Sequence, residues 1–179
     1  PLIALAALDS GNTTPERVIN CPGYVPIGNA RIHCWYRAGH GELDIRGAIE
    51  QSCNVYFIRV GMQTGLDTIR PMMLAAGFGQ RPGIDLPNAT EGLVPSRRWA
   101  YGQWERGWLA IDTAYLSIGQ GAVNISPLQA AVYAAALANG GTVYRPYLVE
   151  EVRTSQGKAR RRTVPTPVRR LPVSRQHLE

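Results

Sequence analysis

Lysine is almost absent from this sequence. Lys158 is the only one, and arginine supplies the rest of the basic charge, a compositional bias rather than a chemical signal. Long hydrophobic runs are missing too: the apolar opening stretch, Leu2 to Leu8, falls far short of the roughly 20 residues that a membrane span needs. That stretch also lacks the charged front end and cleavage pattern of a signal peptide. No internal repeat is visible. There is no close Cys-x-x-Cys pair, and the three cysteines, Cys21, Cys34 and Cys53, are an odd number that a disulfide framework cannot satisfy. The formal charge of +6 hints at a nucleic-acid partner, but Arg153, Lys158, Arg160, Arg161, Arg162, Arg169, Arg170 and Arg175 crowd the last segment while the body is nearly balanced. No aromatic residue is interleaved with them, so a stacking platform for bases is lacking and no nucleic-acid partner is expected. The segment reads as a solvated basic hairpin and tail.

What is present is enough for one domain: 179 residues at 45% hydrophobic content can bury a real core. Pro1 to Leu8 reads as the end of an apolar helix closed by Asp9, Ser10 and Gly11, and its abrupt, uncapped start implies a chain cut from something larger. Thr13 to Gly41 is rich in Gly and Pro, with short strands expected at Val18-Ile19 and Arg31-Ile32-His33 around the turn Pro26 to Asn29. Asp67 is expected to cap a helix carrying Ile69, Met72, Met73 and Ala76 on one face, with Pro71 in its first turn and Gly77 at its end. Phe78 to Pro95 is loop. Ser96 caps a short helix with Trp99, and Trp104 and Trp108 read as half-buried rings packing a loop. Asp112 to Ile118 looks helical. The clearest local signal is Ser126-Pro127-Leu128-Gln129, a capping box with proline at the first helical position, opening an Ala-rich helix that stops at Asn139-Gly140-Gly141. Strands follow from Thr142 to Arg153, and residues 164–179 carry no recognisable packed element.

The stretch that organises the chain is Ile49 to Phe57. Asp44 caps a helical face of Ile45, Ala48 and Ile49; Tyr56, Phe57 and Val60 continue one beyond it. The triplet Ser52-Cys53-Asn54 is thus a polar break between two helices. It holds on rigid neighbours a hydroxyl that can relay a proton and a carboxamide that can orient a substrate amide. Alone, Ser-x-Asn is a weak signal, since both residues are ordinary caps. Around it, Cys21, Cys34, His40 and Cys53 form the series Cys-x12-Cys-x5-His-x12-Cys. Three readings of that series stand. Cys21 and Cys34 can pair across the intervening turn, all three can be buried thiols with His40 capping a loop, or the four can hold a metal, four being the number of ligands in a closed zinc site. His33 and His177 have no such company and read as ordinary surface or loop residues.

These residues carry a resemblance. Ser52-Cys53-Asn54-Val55-Tyr56-Phe57 resembles the second motif of class B penicillin-binding proteins. Gly77-Phe78-Gly79, Gly83-Ile84-Asp85-Leu86-Pro87 and Gly92-Leu93-Val94-Pro95 resemble the next block of that family. Ile118-Gly119-Gln120-Gly121, Ser126 to Gln129 and Ala138 to Gly141 resemble the block after it. Cys21-Pro22-Gly23-Tyr24 and Trp35 to Gly41 are similar to the elongation-type group, penicillin-binding protein 2. The match runs in order from Leu2 to about Val149.

The resemblance implies an α+β, mainly helical fold: the helical portion of the penicillin-binding-protein/beta-lactamase-like transpeptidase fold, truncated at both ends. Residues 1–179 form a partial transpeptidase domain, 13–41 a loop-rich metal-binding insert, and 160–179 a basic, Pro-rich, poorly ordered end. The family's Ser-x-x-Lys nucleophile motif and its Lys-Thr-Gly strand are missing. The one literal match, Ser155-Gln156-Gly157-Lys158, falls in a polar turn rather than on a helix, where Ser and Lys would share a face. The implied parent activity is D,D-transpeptidation of peptidoglycan stem peptides through a serine acyl-enzyme that beta-lactams trap, with this chain alone inactive.

By the family pattern, Ser52 joins the proton network and Asn54 orients the acyl-donor amide. Elongation-type relatives carry metal ligands at the places of Cys21, Cys34, His40 and Cys53, which favours a structural zinc. Cys53 is then expected to project away from the cleft that Ser52 and Asn54 face. A membrane glycosyltransferase of the elongation machinery, which sets cell shape, is the implied partner. The implied location is the periplasmic face of the bacterial inner membrane. An apolar face that packs on the missing sheet would favour self-association of the isolated chain. The alternative reading is a zinc-stapled helical structural or interaction module without chemistry of its own.

Overall fold

A computed structural model describes residues 1–178; Glu179, the last residue of the basic end expected over 160–179, lies outside the described residues. The fold is α+β and mainly helical. Seven helices carry it: α1 (Leu2–Asp9), α2 (Ile45–Glu50), α3 (Asn54–Thr64), α4 (Leu66–Ala75), α5 (Arg97–Trp104), α6 (Ala110–Leu116) and α7 (Pro127–Ala138). Eight short strands join in antiparallel pairs: β1 (Ile19–Cys21) with β4 (Gly41–Leu43), and β2 (Tyr24–Ile27) with β3 (Ala30–His33). Likewise β5 (Thr142–Tyr144) pairs with β8 (Pro167–Arg170), and β6 (Glu151–Arg153) with β7 (Ala159–Arg162).

The opening apolar run is helical and buried on nearly every side. Leu2, Ile3, Leu5 and Ala6 pack into one core with α4, Leu116, Tyr133, Val143 and Leu171. Ala4 and Ala7 face a second core made by α2, α3, Ile19, Val25 and Ile32. One helix thus serves two cores, and each fully buried Leu or Ile contributes about 1.5–3 kcal/mol of transfer free energy. The helix ends where expected, with Ser10 as C-cap and Gly11 at φ +70°. Helix α7 opens with the expected reciprocal bonds: Gln129 N–H to Ser126 Oγ at 3.2 Å, and Ser126 N–H to Gln129 Oε1 at 2.8 Å.

Several expectations need correction. Asp67 does not cap α4. Gly65, at φ +78°, closes α3 and opens α4 with buried Leu66 as first residue, so Asp67 falls in the first turn, where its charge suits the helix dipole. Pro71 then sits inside the helix and removes one backbone donor, a cost that α4 bears through the burial of Ile69, Met72 and Met73. Asp112 starts no helix either; α6 begins at Ala110, and the Asp112 carboxylate accepts the Leu109 N–H at 2.8 Å.

Ile19 pairs with Leu43 rather than across the Pro26 turn, and Tyr24–Ile27 is a strand that local pattern did not reveal. Pro26 is tolerated there because it is exposed on a two-stranded ribbon. Finally, residues 164–178 do contain packed elements, against the expectation for 164–179. Pro167–Arg170 pairs with β5, Leu171 is 3% exposed in the first core, and a short 3-10 helix spans Arg175–His177. The segment gains order from a distant strand, which its own Pro-rich pattern cannot announce. Among the described residues no helix is long and apolar enough to cross a membrane.

Candidate functional site

Helix α2 ends in a Schellman motif. The Cys53 N–H bonds to the Ala48 carbonyl at 2.9 Å and the Ser52 N–H to the Ile49 carbonyl at 3.2 Å. The residue that must turn left-handed in this motif is normally glycine; here it is Ser52, at φ +50°. A left-handed non-glycine residue costs about 1–2 kcal/mol. The chain therefore holds a hydroxyl at a strained point between two helices. Asn54 follows as the first residue of α3, and its Nδ2 donates to the His33 carbonyl at 3.3 Å, leaving Oδ1 uncommitted.

Ser52 and Asn54 lie on the lip of a cleft of about 450 Å³. Its walls are apolar, with Ile3, Phe57, Met73, Phe78 and Ile118 among them. Two hydroxyls that the sequence did not single out also line it. Ser117, buried beside the Ile118-Gly119-Gln120-Gly121 block, gives its Oγ–H to the Thr113 carbonyl at 2.7 Å. Tyr133 has a buried, unpartnered OH, and burial pushes its phenol well above the ordinary range. The Ser117 position is legible only as lying two residues before a glycine turn. The Tyr133 position is hidden in an Ala-rich helix.

Cys53 turns to the opposite side. Its sulfur, with those of Cys21 and Cys34 and a ring nitrogen of His40, forms a cluster whose four donors lie within 4.8 Å of one another. The three cysteines are buried and free, and His40 Nδ1 stands 3.5 Å from Cys34 Sγ. Cys53 Sγ also accepts the Tyr56 N–H at 3.5 Å, so it caps α3. Burial alone would raise the Cys34 thiol. The backbone N–H groups of Asn54, Tyr36 and Val55 and the Cys21 thiol outweigh that and hold it below its ordinary value. The first-turn amides of α3 thus point at sulfur, an arrangement that favours thiolate. Cys53 carries the contrary pressure: burial first, then its sulfur neighbours, push it up to about 12. The two sulfurs are thus under pressures of opposite sign.

The donor set fits a metal. Three thiols and an imidazole give the soft ligands of a closed tetrahedral site, in which neighbouring donors stand roughly 3.5–3.8 Å apart. His40 Nε2 is buried without a partner. Glycine makes the loop close enough: a Cβ on Gly23 would overlap the Arg37 carbonyl, and one on Gly39 the Cys21 carbonyl, both at positive φ. Of the candidate residues, Ser52 and Asn54 come together at the cleft, and Cys21, Cys34, His40 and Cys53 come together behind it. His177 stands apart, beside Asp9. His33 contributes through its carbonyl rather than its ring, a role that no sequence pattern displays.

Gln129, expected only as a capping residue, has a second task. Its buried Nε2 faces the carbonyls of Gln80 at 2.8 Å, Glu91 at 2.9 Å and Gly77 at 3.4 Å, pinning the 77–95 loop to α7. Trp104 and Trp108 are half-buried rings, as expected; Trp99 joins them in sequential contact, and the Arg106 guanidinium lies over Trp104.

The arrangement has clear relatives. The model of the penicillin binding protein transpeptidase domain matches residues 1–179. The peptidoglycan D,D-transpeptidase MrdA of Haemophilus influenzae is 35% identical over 154 residues, which is 85% of this chain and 24% of that protein. The crystal structure of Pseudomonas aeruginosa PBP2 in complex with WCK 5153 superposes with a TM-score of 0.84 at 32% identity, over 99% of this chain and 40% of that one. PBP2 of Helicobacter pylori, in its complex with MreC, superposes with a TM-score of 0.78 at 29% identity, over 82% of this chain and 27% of that one. The chain thus spans about a quarter of the length of the curated relatives it matches. With the helix–Ser–helix break, the glycine-bounded loops and the Ser126 cap falling in one order along one fold, the chain belongs to the penicillin-binding-protein transpeptidase family.

Proposed function

We propose that this chain forms one wall of the acyl-transfer cleft of a peptidoglycan D,D-transpeptidase, a penicillin-binding protein of the elongation type. Residues 1–179 are then part of its transpeptidase domain, with 13–41 as a metal-binding insert. The observation that carries this reading is the joint placement of Ser52 and Asn54 on the lip of the apolar cleft, by a strained left-handed turn between two helices.

In the reaction, a serine outside this chain attacks the carbonyl of a stem-peptide D-Ala-D-Ala or of a beta-lactam, and the leaving group takes up a proton. The Ser52 hydroxyl relays that proton, since it can donate and accept at once. Asn54, with its amide N–H anchored on His33, presents its free carbonyl to the acyl-donor amide and fixes its orientation. The apolar walls exclude water and strengthen both contacts.

Cys21, Cys34, His40 and Cys53 hold one zinc ion. Bound there, it supplies folding free energy, on the order of 10 kcal/mol for structural sites, and no chemistry at the cleft. Behind the break, these ligands join the 13–41 insert to α3. Stem peptides and beta-lactams are the ligands of the whole protein. The whole protein works in an envelope assembly, with a membrane glycosyltransferase as partner, at the periplasmic face of the inner membrane; that H. pylori PBP2 forms a complex with MreC supports the assembly alone.

The experiment is labelling with a tagged penicillin. The full-length protein carrying this chain takes up one equivalent. The isolated chain takes up none, because its single Ser-x-x-Lys lies in the exposed turn between β6 and β7. A stoichiometric adduct on Ser155 or Ser52 of the isolated chain would overturn the reading.

A further inference from the structure

The segment 33–35 grips the catalytic break from both sides. On one side the indole N–H of Trp35 donates to the Gln51 carbonyl at 2.8 Å, one residue before Ser52. On the other side the His33 carbonyl accepts the Asn54 amide at 3.3 Å, two residues after it. Between them, Cys34 lies with Cys53 in the sulfur cluster. The end of β3 and the loop after it therefore hold the break at Gln51 and at Asn54. Between those two points lies the strained residue, Ser52 at φ +50°.

Trp35 is the anomaly in this grip. Its residue is 61% exposed, so burial does not explain a tryptophan there. One edge of its ring stands against His40 and Tyr36, with centroids 5.4 and 5.8 Å away, which fixes the direction of its N–H. It is not among the residues that line the cleft. Among the described residues its indole N–H has one polar partner, the carbonyl of the C-cap residue of α2. The Gln51 carbonyl belongs to the peptide unit that links Gln51 to Ser52. Fixing it holds one side of the Ser52 N–Cα bond, and the Cys53 N–H bond to the Ala48 carbonyl holds the other, so the two together set the Ser52 φ value.

We propose that Trp35 is a positioning residue for Ser52: its indole N–H, clamped on the Gln51 carbonyl, holds the serine in the left-handed conformation from which its hydroxyl lines the cleft. This rests on the reading of Ser52 as the proton-relaying hydroxyl. Without the clamp, Ser52 relaxes toward the extended or right-handed regions that L residues prefer, and the competent fraction of the enzyme falls.

The test uses the full-length protein and the substitution Trp35→Phe, which keeps a ring beside His40 and removes the N–H. Two readouts are taken. Beta-lactam acylation resolved into binding and chemical steps is expected to show about a tenfold loss in the chemical step, the ratio of roughly one lost hydrogen bond, with binding unchanged. Amide hydrogen exchange is expected to quicken about tenfold at Ser52 and Cys53, whose N–H groups close the Schellman motif, and not in α7. Metal content stays at that of the parent protein. Equal acylation and equal exchange in the variant would overturn the proposal. So would loss of metal or of global stability, which would make Trp35 a structural part of the loop. Ser52→Ala in parallel separates the two claims. If it leaves acylation intact, the role of Ser52 fails, while the exchange result still decides whether Trp35 holds the turn.

Discussion

Helices α3 and α6 meet at Gly61 and Ser117, so closely that a Cβ on the glycine would overlap the serine Oγ. Ser117 is fixed by its own bond to Thr113 and lines the cleft, so the backbone of α3 sets the position of that wall. Gly61→Ala adds helix propensity worth up to about 1 kcal/mol but forces the two helices apart, an overpacking cost of about 1–3 kcal/mol. A lower urea midpoint with an unchanged slope is the expected result, and an unchanged midpoint would show that α6 yields freely.

Gln129 joins two tasks that mutation separates. Ser126→Ala removes only the cap acceptor and is expected to cost about 1 kcal/mol. Gln129→Leu strands three carbonyls of the 77–95 loop as well, and is expected to cost about 2–4 kcal/mol with faster proteolysis between Gly77 and Pro95. Gln129→Glu keeps the acceptor for the Ser126 N–H and loses the donors, so it falls near Leu rather than near the parent. Denaturant titration of the three variants checks the order.

Asp112 carries a clear instruction about pH. Bonds to Arg106 at 2.7 and 2.9 Å, opposed by partial burial and helped by the Leu109 N–H, hold its carboxyl below the ordinary aspartate range. A depressed folded value means stabilisation that is complete above the unfolded value, about 3.9, and lost as pH falls through the folded one. Thermal unfolding between pH 5 and pH 2 should therefore steepen in the parent relative to Asp112→Asn. Parallel curves would remove the Arg106 pair from the account.

The metal is tested apart from catalysis. Cys34→Ser removes one of the four clustered candidate ligands, so hydrogen exchange should rise across residues 13–54 while α7 keeps its protection. Protein prepared without chelator should carry about one equivalent of zinc. Less than a tenth of an equivalent, or a Cys21–Cys34 disulfide by mass, would sink the zinc reading.

What was legible in the sequence was local or carried by resemblance. The Ser126 cap, the α1 terminus and the helix break at Ser52 each declare themselves within a few residues, because caps and left-handed turns are satisfied by near neighbours. The four candidate metal ligands were identifiable as residue types, but spacing left them open to other readings; only the fold brings Cys21 and His40 to the same point. What stayed hidden depends on distant partners: β8 on β5, Gln129 on the 77–95 loop, and the main-chain carbonyls of His33 and Gln51. Pro71 misled for a different reason, since tertiary burial of α4 overrides the local cost of a proline.

The central claim is that Ser52 and Asn54 face the reaction from this wall of the cleft. It is tested most directly by the second-order rate of beta-lactam acylation of the full-length protein, for the parent and for Ser52→Ala and Asn54→Ala at matched zinc content and thermal midpoint. Loss of a positioned proton relay predicts a fall of at least about 100-fold for Ser52→Ala. A smaller but clear fall is expected for Asn54→Ala. Rates within twofold of the parent for both, in folded and metal-loaded protein, would contradict the account.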